Sequence, residues 1–273
     1  MRKTIWIFWY QGIDNAPTIV RKCVDSWVLK NPDWSVVILE KENLSKYIDD
    51  DFHPLLSIAH RSDLIRLSLL EKYGGLWVDA TVYCILPLCN WAPYYFKNGY
   101  FVFKNPKNRN SISNWFIYSQ PGHVFNTTMI CELNGYWNTK ILTEGRIKKL
   151  AKRVLTSLTC RVDGLYRIWL SILIKDIIKI YPYFIFHFIF REMIEKEPSF
   201  RTIFDKIPFC SNIPVHLVQR VGMKSNDIAK LKKLAIKERP FVQKLTYRMD
   251  EAYLDNEDNI TNCLLEGRID DIF

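Results

Sequence analysis

The chain has 273 residues, enough for one large domain or two small ones with an ample core, and it is 48% hydrophobic and 14% aromatic, which excludes a disordered or low-complexity protein. A formal charge of +9 and a pI near 9.1 suit anionic partners such as nucleotide diphosphates, lipid phosphates, an anionic membrane surface or nucleic acid, without choosing among them. Seven cysteines, an odd number with no C-x-x-C pair or metal-ligand spacing, argue against a disulfide framework or a zinc site and point to a reducing compartment.

Residues 4–9 form an apolar run behind Arg2 and Lys3. The run is interrupted by Gln11 and Asp14 and lacks a small-residue cleavage site, so it reads as a first strand and not as a signal peptide. It leaves through Trp9, Tyr10, Gln11 and Gly12, and a glycine where a parallel strand exits its sheet permits close approach of a ligand to the backbone. Pro17 fits the first turn of a helix with a buried apolar stripe of Ile19, Val20, Cys23, Val24, Trp27 and Val28, which Asn31 and Pro32 stop. Residues 34–39 read as a second strand, and this strand-helix-strand opening predicts a parallel sheet and an α/β fold. Residues 40–60 are polar, with His53 and His60 lacking partners at ligand spacing.

The organising stretch is AHRSDLIRLSLLEKYGGLWVDATVY, residues 59–83. Leu64, Ile65, Leu67, Leu69 and Leu70 recur at helical spacing, Gly74 and Gly75 end that helix, and residues 76–78 read as a short buried strand delivering Asp79 at its end. Asp63 and Arg66 are three apart and share one helix face; as a solvated pair they contribute about 0.3 kcal/mol and nothing more. That reading leaves Asp79 unexplained, because a carboxylate among Leu76, Trp77, Val78, Ala80 and Val82 is costly to bury unpaired, and strand ends of open α/β sheets are where ligands bind. Two acids and a guanidinium converging on one strand end read as a site.

The S-D-x-x-R helix followed by Y-G-G-L-W-V-D-A-T resembles the sugar-nucleotide signature of glycosyltransferase family 32, most closely of its capsular polysaccharide synthesis relatives, and is similar to a pattern in large glucosylating toxins. The resemblance covers most of the chain. It implies a GT-A fold, a Rossmann-like mixed sheet with flanking helices and a helical C-terminal part, that binds a nucleotide sugar, UDP-sugar in the first instance, and transfers the sugar with retention. The implied enzyme is a hexosyltransferase of capsule or O-antigen biosynthesis, acting on a glycan or lipid-linked glycan. By the same resemblance Trp9 stacks on the nucleotide base, the alternative being that it plugs the sheet, with Gln11 beside it. Asp63, Arg66 and Asp79 hold ribose and sugar, and Lys244 in the K-L-T segment meets the diphosphate. The usual D-x-D motif reads here as Asp79, Ala80, Thr81, and a hydroxyl is a much weaker ligand than a carboxylate for Mg²⁺ or Mn²⁺. Two schemes stay open: a weakly held divalent metal on Asp79 and Thr81, the diphosphate and a C-terminal acid such as Asp250 or Asp255, which is the expectation, or no metal, with Lys244 and Arg66 in its electrostatic place.

Further along, residues 100–103 read as a further strand rich in aromatics, and residues 111–118 resemble the strand that in the family carries an amide beside the donor sugar, which falls on Asn114; an asparagine in a strand is otherwise an edge or turn residue. His123 lies in a loop before a helix over 125–136. Residues 142–158 form a basic amphipathic segment with Arg146, Lys148, Lys149, Lys152 and Arg153 around Ile147, Leu150 and Val154; it reads equally as a membrane-surface helix or as a solvated helix with its stripe in the core. Residues 169–190 are apolar but broken by Lys175, Asp176, Lys179 and Pro182, short of the roughly 20 uninterrupted residues of a span, so a core helix pair is expected, with His187 a core histidine, although the resemblance puts a similar aromatic-His segment near the acceptor cleft. Ser225, Asn226 and Asp227 begin a short basic helix that Pro240 ends.

The expectation is therefore one GT-A domain over 1–273 with a helical insertion at 137–200, cytoplasmic and peripheral on the inner face of the plasma membrane. No recognition module interleaves the basic residues with aromatics, so nucleic acid is not an expected partner. A member of the fold that binds a nucleotide sugar or glycan without turnover is the alternative.

Overall fold

The computed structural model describes residues 2–49, 55–138, 145–162, 164–249 and 251–273. Its centre is a five-stranded mixed sheet of order β2-β1-β3-β6-β5. β1 (Thr4–Phe8) leads through α1 (Thr18–Lys30) to β2 (Ser35–Leu39), which lies parallel to it with Thr4 opposite Ser35 and Phe8 opposite Leu39. α1 buries Ile19, Val20, Cys23, Val24 and Trp27 of the expected stripe, whereas Val28, towards the end of the helix, is 49% exposed. α2 (Ile58–Lys72) then leads to β3 (Gly75–Val78), parallel to β1 on its other side. The α/β class expected from the opening units is the class observed.

The α2 to β3 junction depends on its two glycines. Gly74 and Gly75 have φ of 66° and 100°, and a Cβ on Gly75 would fall 2.6 Å from the Thr4 carbonyl oxygen of the neighbouring strand. Only a residue without a side chain turns a helix straight into a strand packed this closely on β1.

After β3 the chain forms β4 (Val82–Cys84), α3 (Ala92–Tyr95), β5 (Tyr100–Asn105) and β6 (Asn108–Ser119). β6 runs antiparallel to both β3 and β5. Beyond β4 the Ile85 and Leu86 amides both donate to the Phe241 carbonyl, at 3.1 and 3.0 Å, and Pro87 precedes a 3₁₀ turn. α4 (Val124–Trp137) packs on α2, with His123 capping it by accepting from the Phe125 amide and stacking on Tyr100, so that histidine is structural.

α5 (Arg146–Arg161) follows, and beyond it the expected helix pair over 169–190 is replaced by irregular turns. Residues Leu165–Leu170 form a 3₁₀ helix and Leu173–Ile178 one π-helical stretch, ended by Lys179 in the left-handed region. The Lys179 amide closes the stretch on the Ile174 carbonyl at 2.9 Å, its left-handed backbone turns the chain out of the helix, and Pro182 lies before the next one, α6 (Ile185–Lys196). α7 (Pro198–Lys206), α8 (Leu217–Gly222) and α9 (Ile228–Glu238), the last capped by Asp227, lead to β7 (Val242–Lys244). α10 (Glu251–Leu254) and α11 (Ile260–Leu265) close the chain. α6 contributes Phe186, Ile189 and Phe190 to the main core, whereas Trp169, Ile174 and Ile180 form a small separate cluster against Ala151 and Leu155 of α5.

β7 is 158 residues beyond β4 in sequence, counted from Cys84 to Val242, yet it pairs with β4 antiparallel, Val82 opposite Lys244. That pairing brings the C-terminal part of the chain to the end of β3.

Candidate active site at the carboxyl ends of the strands

Strands β1 and β3 both deliver their carboxyl ends to one cleft of about 1730 Å³, lined by Trp9, Gln11, Asp63, Arg66, Asp79, Thr81, Asn114 and Lys244 among others. Every residue selected from the sequence for donor binding or catalysis is therefore on its wall. A small-ligand pocket has a volume of about 300–1,000 Å³, so this cleft has room for two substrates.

Asp79 leaves β3 with its amide donating to the Trp115 carbonyl at 2.9 Å, and the Val82 amide returns to the Asp79 carbonyl at 2.9 Å, a tight turn that swings Thr81 back beside it. The Asp79 carboxylate is fully engaged. One oxygen accepts from the Trp77 indole at 3.0 Å and from Arg66 at 3.3 Å; the other accepts from the Lys244 ammonium at 2.9 Å. Lys244 also donates to the Thr81 hydroxyl at 2.7 Å. Arg66, buried, pairs with Asp63 and lies over the ring of Trp77 at 5.1 Å, with Phe186 at 5.8 Å. Asn114 on β6 donates to Asp63 at 2.9 Å, so its amide orients that acid.

The result is a compact tetrad of two acids and two cations, and the solvated-pair reading of Asp63 and Arg66 is excluded by their burial. Burial pushes the Asp63 carboxyl up to about 6, with Asp79 adding to it against the pull of Arg66 and the Asn114 hydrogen bond. Burial acts on Asp79 in the same direction but is outweighed by Lys244 and Arg66, which hold it down at about 2. Asp79 is thus a permanent anion.

Trp9 is half-buried at the end of β1 with the edge of Tyr247 against it, ring centroids 5.5 Å apart, and Gln11 is exposed beyond it. His187 of α6 lines the cleft; burial, with Arg66 nearby, holds its imidazole down at about 4 and so neutral. Residues that the sequence does not single out also line the wall, including Tyr183, Phe184, Arg191, Tyr247 and Arg248. They belong to α6, the turn before it and the segment after β7, and no periodicity of their own segments ties them to Asp79.

A divalent ion on the D-x-D positions would need Asp79 and Thr81 as ligands, but one Asp79 oxygen and the Thr81 hydroxyl share the Lys244 ammonium, and the other Asp79 oxygen is taken by Trp77 and Arg66. Among the described residues there is no cluster of three His, Cys, Asp or Glu side chains able to hold a metal, and Asp255 is exposed and absent from the cleft wall. Asp250, like His53, lies outside the described residues. This donor set does not suit Mg²⁺ or Mn²⁺, which depend on anionic oxygen ligands.

The fold and site define an α/β protein with a charged ligand cleft at the strand ends. Its sequence matches the capsular polysaccharide synthesis protein model over residues 1–143, more than half of the chain, and the chain belongs to that family. The segment with Lys244 lies beyond the matched stretch. Curated relatives include O-glycosyltransferase braB of Annulohypoxylon truncatum, 36% identical over 94 residues (29% of this chain and 22% of the relative), and glycosyltransferase afumC of Aspergillus fumigatus, 33% identical over 93 residues (28% and 24%). These matches thus span about a quarter of each relative's length. Among solved structures, PaToxG glycosyltransferase aligns at a TM-score of 0.37 with 17% identity, over 62% of this chain and 74% of that one.

Proposed function

We propose that the cleft binds a nucleotide sugar, a UDP-sugar in the first instance, in a GT-A manner and transfers its sugar with retention to a glycan or lipid-linked glycan of a surface polysaccharide. The observation that carries this reading is the tetrad of Asp63, Arg66, Asp79 and Lys244 set in a two-substrate cleft at the strand ends. The base lies against Trp9. Asp79, ionised at any physiological pH, accepts from ribose or sugar hydroxyls, and Asp63, held by Asn114 and Arg66, orients the sugar. Both acids are bonded to cations, so neither serves as a covalent nucleophile, and a double displacement has no support. The acceptor oxygen forms its bond to the anomeric carbon on the face from which the diphosphate departs; the electron pair of the breaking bond stays on the phosphate oxygen, which takes the acceptor hydroxyl's proton. The Lys244 ammonium meets the charge growing on that oxygen, the part otherwise given to a metal.

The test is a thermal-shift panel of nucleotide sugars in the presence of EDTA, followed by donor hydrolysis. A bound donor raises the melting temperature in proportion to the logarithm of its concentration over Kd. One nucleotide sugar is expected to stabilise the protein and to be slowly hydrolysed; a panel with neither effect, with or without Mn²⁺, overturns the reading.

A further inference from the structure

The apolar stripe of α5 is outside the core. Ile147, Leu150, Val154 and Leu158, spaced 3, 4 and 4 apart and so on one helix face, are 86, 63, 52 and 44% exposed. The adjacent face, with Ala151 and Leu155, is the one that packs on Trp169 and Ile174. On the opposite flank of the stripe Arg146, Lys149 and Arg153 are exposed, and the 16 residues of α5 contain no acid. The neighbouring π-helical segment extends the surface: Lys148 donates to the Ile178 carbonyl at 2.7 Å, and Ile172, Leu173 and Ile177 there are also exposed. Exposed apolar side chains bordered by cations are costly in water and complementary to the boundary between the headgroups and acyl chains of an anionic bilayer. Among the described residues no helix is long and apolar enough to cross a membrane, so this would be attachment along the surface.

We infer that α5 and the segment Leu173–Ile178 lie on an anionic membrane, with the apolar stripe in the interface and the basic flank on lipid phosphates, and that the acceptor reaches the cleft from that membrane. The second half rests on the glycosyl-transfer reading, and its support is position: Thr159, Arg161 and Val162, at the carboxyl end of the same helix, are cleft wall. A glycan anchored to a lipid would enter where the helix passes from bilayer to cleft. Attachment by α5 stands independently of what the cleft catalyses.

The experiment is co-sedimentation of the full chain with vesicles of phosphatidylcholine alone and of phosphatidylcholine mixed with phosphatidylglycerol. Binding is expected to the mixed vesicles only and to weaken with salt, since surface charges are screened beyond about 8 Å at physiological ionic strength. Lys149→Ala and Arg153→Ala are each expected to weaken it about fivefold, and Ile147→Ser and Leu150→Ser each roughly tenfold. None of the four lies on the cleft wall, so melting temperature and donor hydrolysis should be unchanged in all of them. Loss of vesicle binding with hydrolysis retained is the expected pattern. Equal binding of parent and variants overturns the assignment, as does indifference to lipid charge. A parent that dimerises in light scattering, becomes monomeric on Leu150→Ser and ignores vesicles gives the surface to a second copy and also overturns it. A protein that binds vesicles as expected but hydrolyses no donor keeps the membrane surface and loses the transferase.

Discussion

Removing the Lys244 ammonium separates a lysine that serves in place of a metal from a lysine that is only structural. Lys244→Met keeps most of the aliphatic stem and deletes the ammonium, which lies 5.9 Å from the Trp115 ring centroid and bridges Asp79 at 2.9 Å and Thr81 at 2.7 Å. Asp79 retains Trp77 at 3.0 Å and Arg66 at 3.3 Å and is partly exposed, so the stability loss should stay below about 3 kcal/mol, the upper value for a hydrogen bond to a charged group. The catalytic loss should be larger. A preorganised donor aimed at charge that develops in the transition state contributes about 2.7–4 kcal/mol, or about 10²–10³ in kcat. Initial rates of donor hydrolysis and of transfer, measured in EDTA, should therefore fall by that factor in Lys244→Met while the parent keeps full activity in the chelator. A parent that EDTA inactivates and Mn²⁺ restores, together with a Lys244→Met variant at parental rate, would refute the reasoning and return Asp79 and Thr81 to metal ligation.

Protonation of Asp63 should set the acid limb of kcat/KM. Its carboxyl is raised to about 6, and below that pH Arg66 loses an anionic partner, so activity should fall with an apparent pKa near 6, and Asp63→Asn should show no such limb. The stability sign follows from the same shift. A raised folded-state value gives a contribution that is present below the ordinary carboxylate range and lost as pH rises through about 6, so denaturant titrations should show the parent losing ground to Asp63→Asn over that rise. Asp79, held down at about 2, acts oppositely, and its contribution is lost only as pH falls towards that value. Gly75→Ala should cost at least about 1–3 kcal/mol in urea unfolding, because φ of 100° is strained for alanine and its Cβ would meet the Thr4 carbonyl; a loss within 0.5 kcal/mol, roughly the ordinary surface range, would count against the close β1 to β3 packing.

What the sequence made legible is local. β1, α1, β2 and the α2-Gly-Gly-β3 unit each carry their own period and their own stop signal, and all lie within the first 78 residues. Asp63, Arg66 and Asp79 were readable for the same reason: 16 residues separate the first from the last, and helix spacing with a strand end fixes their common direction. Lys244 is a different case. Its place beside Thr81 follows from the pairing of two three-residue strands far apart in sequence, and a three-residue strand has too little alternation to announce a partner. The irregular segment before α6 misled in the opposite way, since its apolar residues recur as a helix would have them while Lys179 and Pro182 decide the backbone. For α5 the amphipathic pattern was plain, but a stripe facing a core and a stripe facing a membrane have one and the same period; the exposure of Ile147 and Leu150 is a fact of tertiary packing.

The tetrad also implies how the donor would be admitted. Without ligand, its two cations and two acids balance, with Lys244 spent on Asp79 and Thr81. A bare ammonium in a partly buried site would be costly, and so would an unpaired Asp79, so each offsets part of the other's desolvation. A diphosphate brings more negative charge than one carboxylate and can draw the flexible Lys244 side chain towards it, which leaves the Asp79 oxygen free to accept from a sugar or ribose hydroxyl. Arg66 cannot follow, being fixed between Trp77 and Phe186 and bonded to Asp63. On the proposed glycosyl transfer, binding would exchange one ion pair for a stronger one and a hydrogen bond, with Lys244 serving the leaving group and Arg66 the sugar.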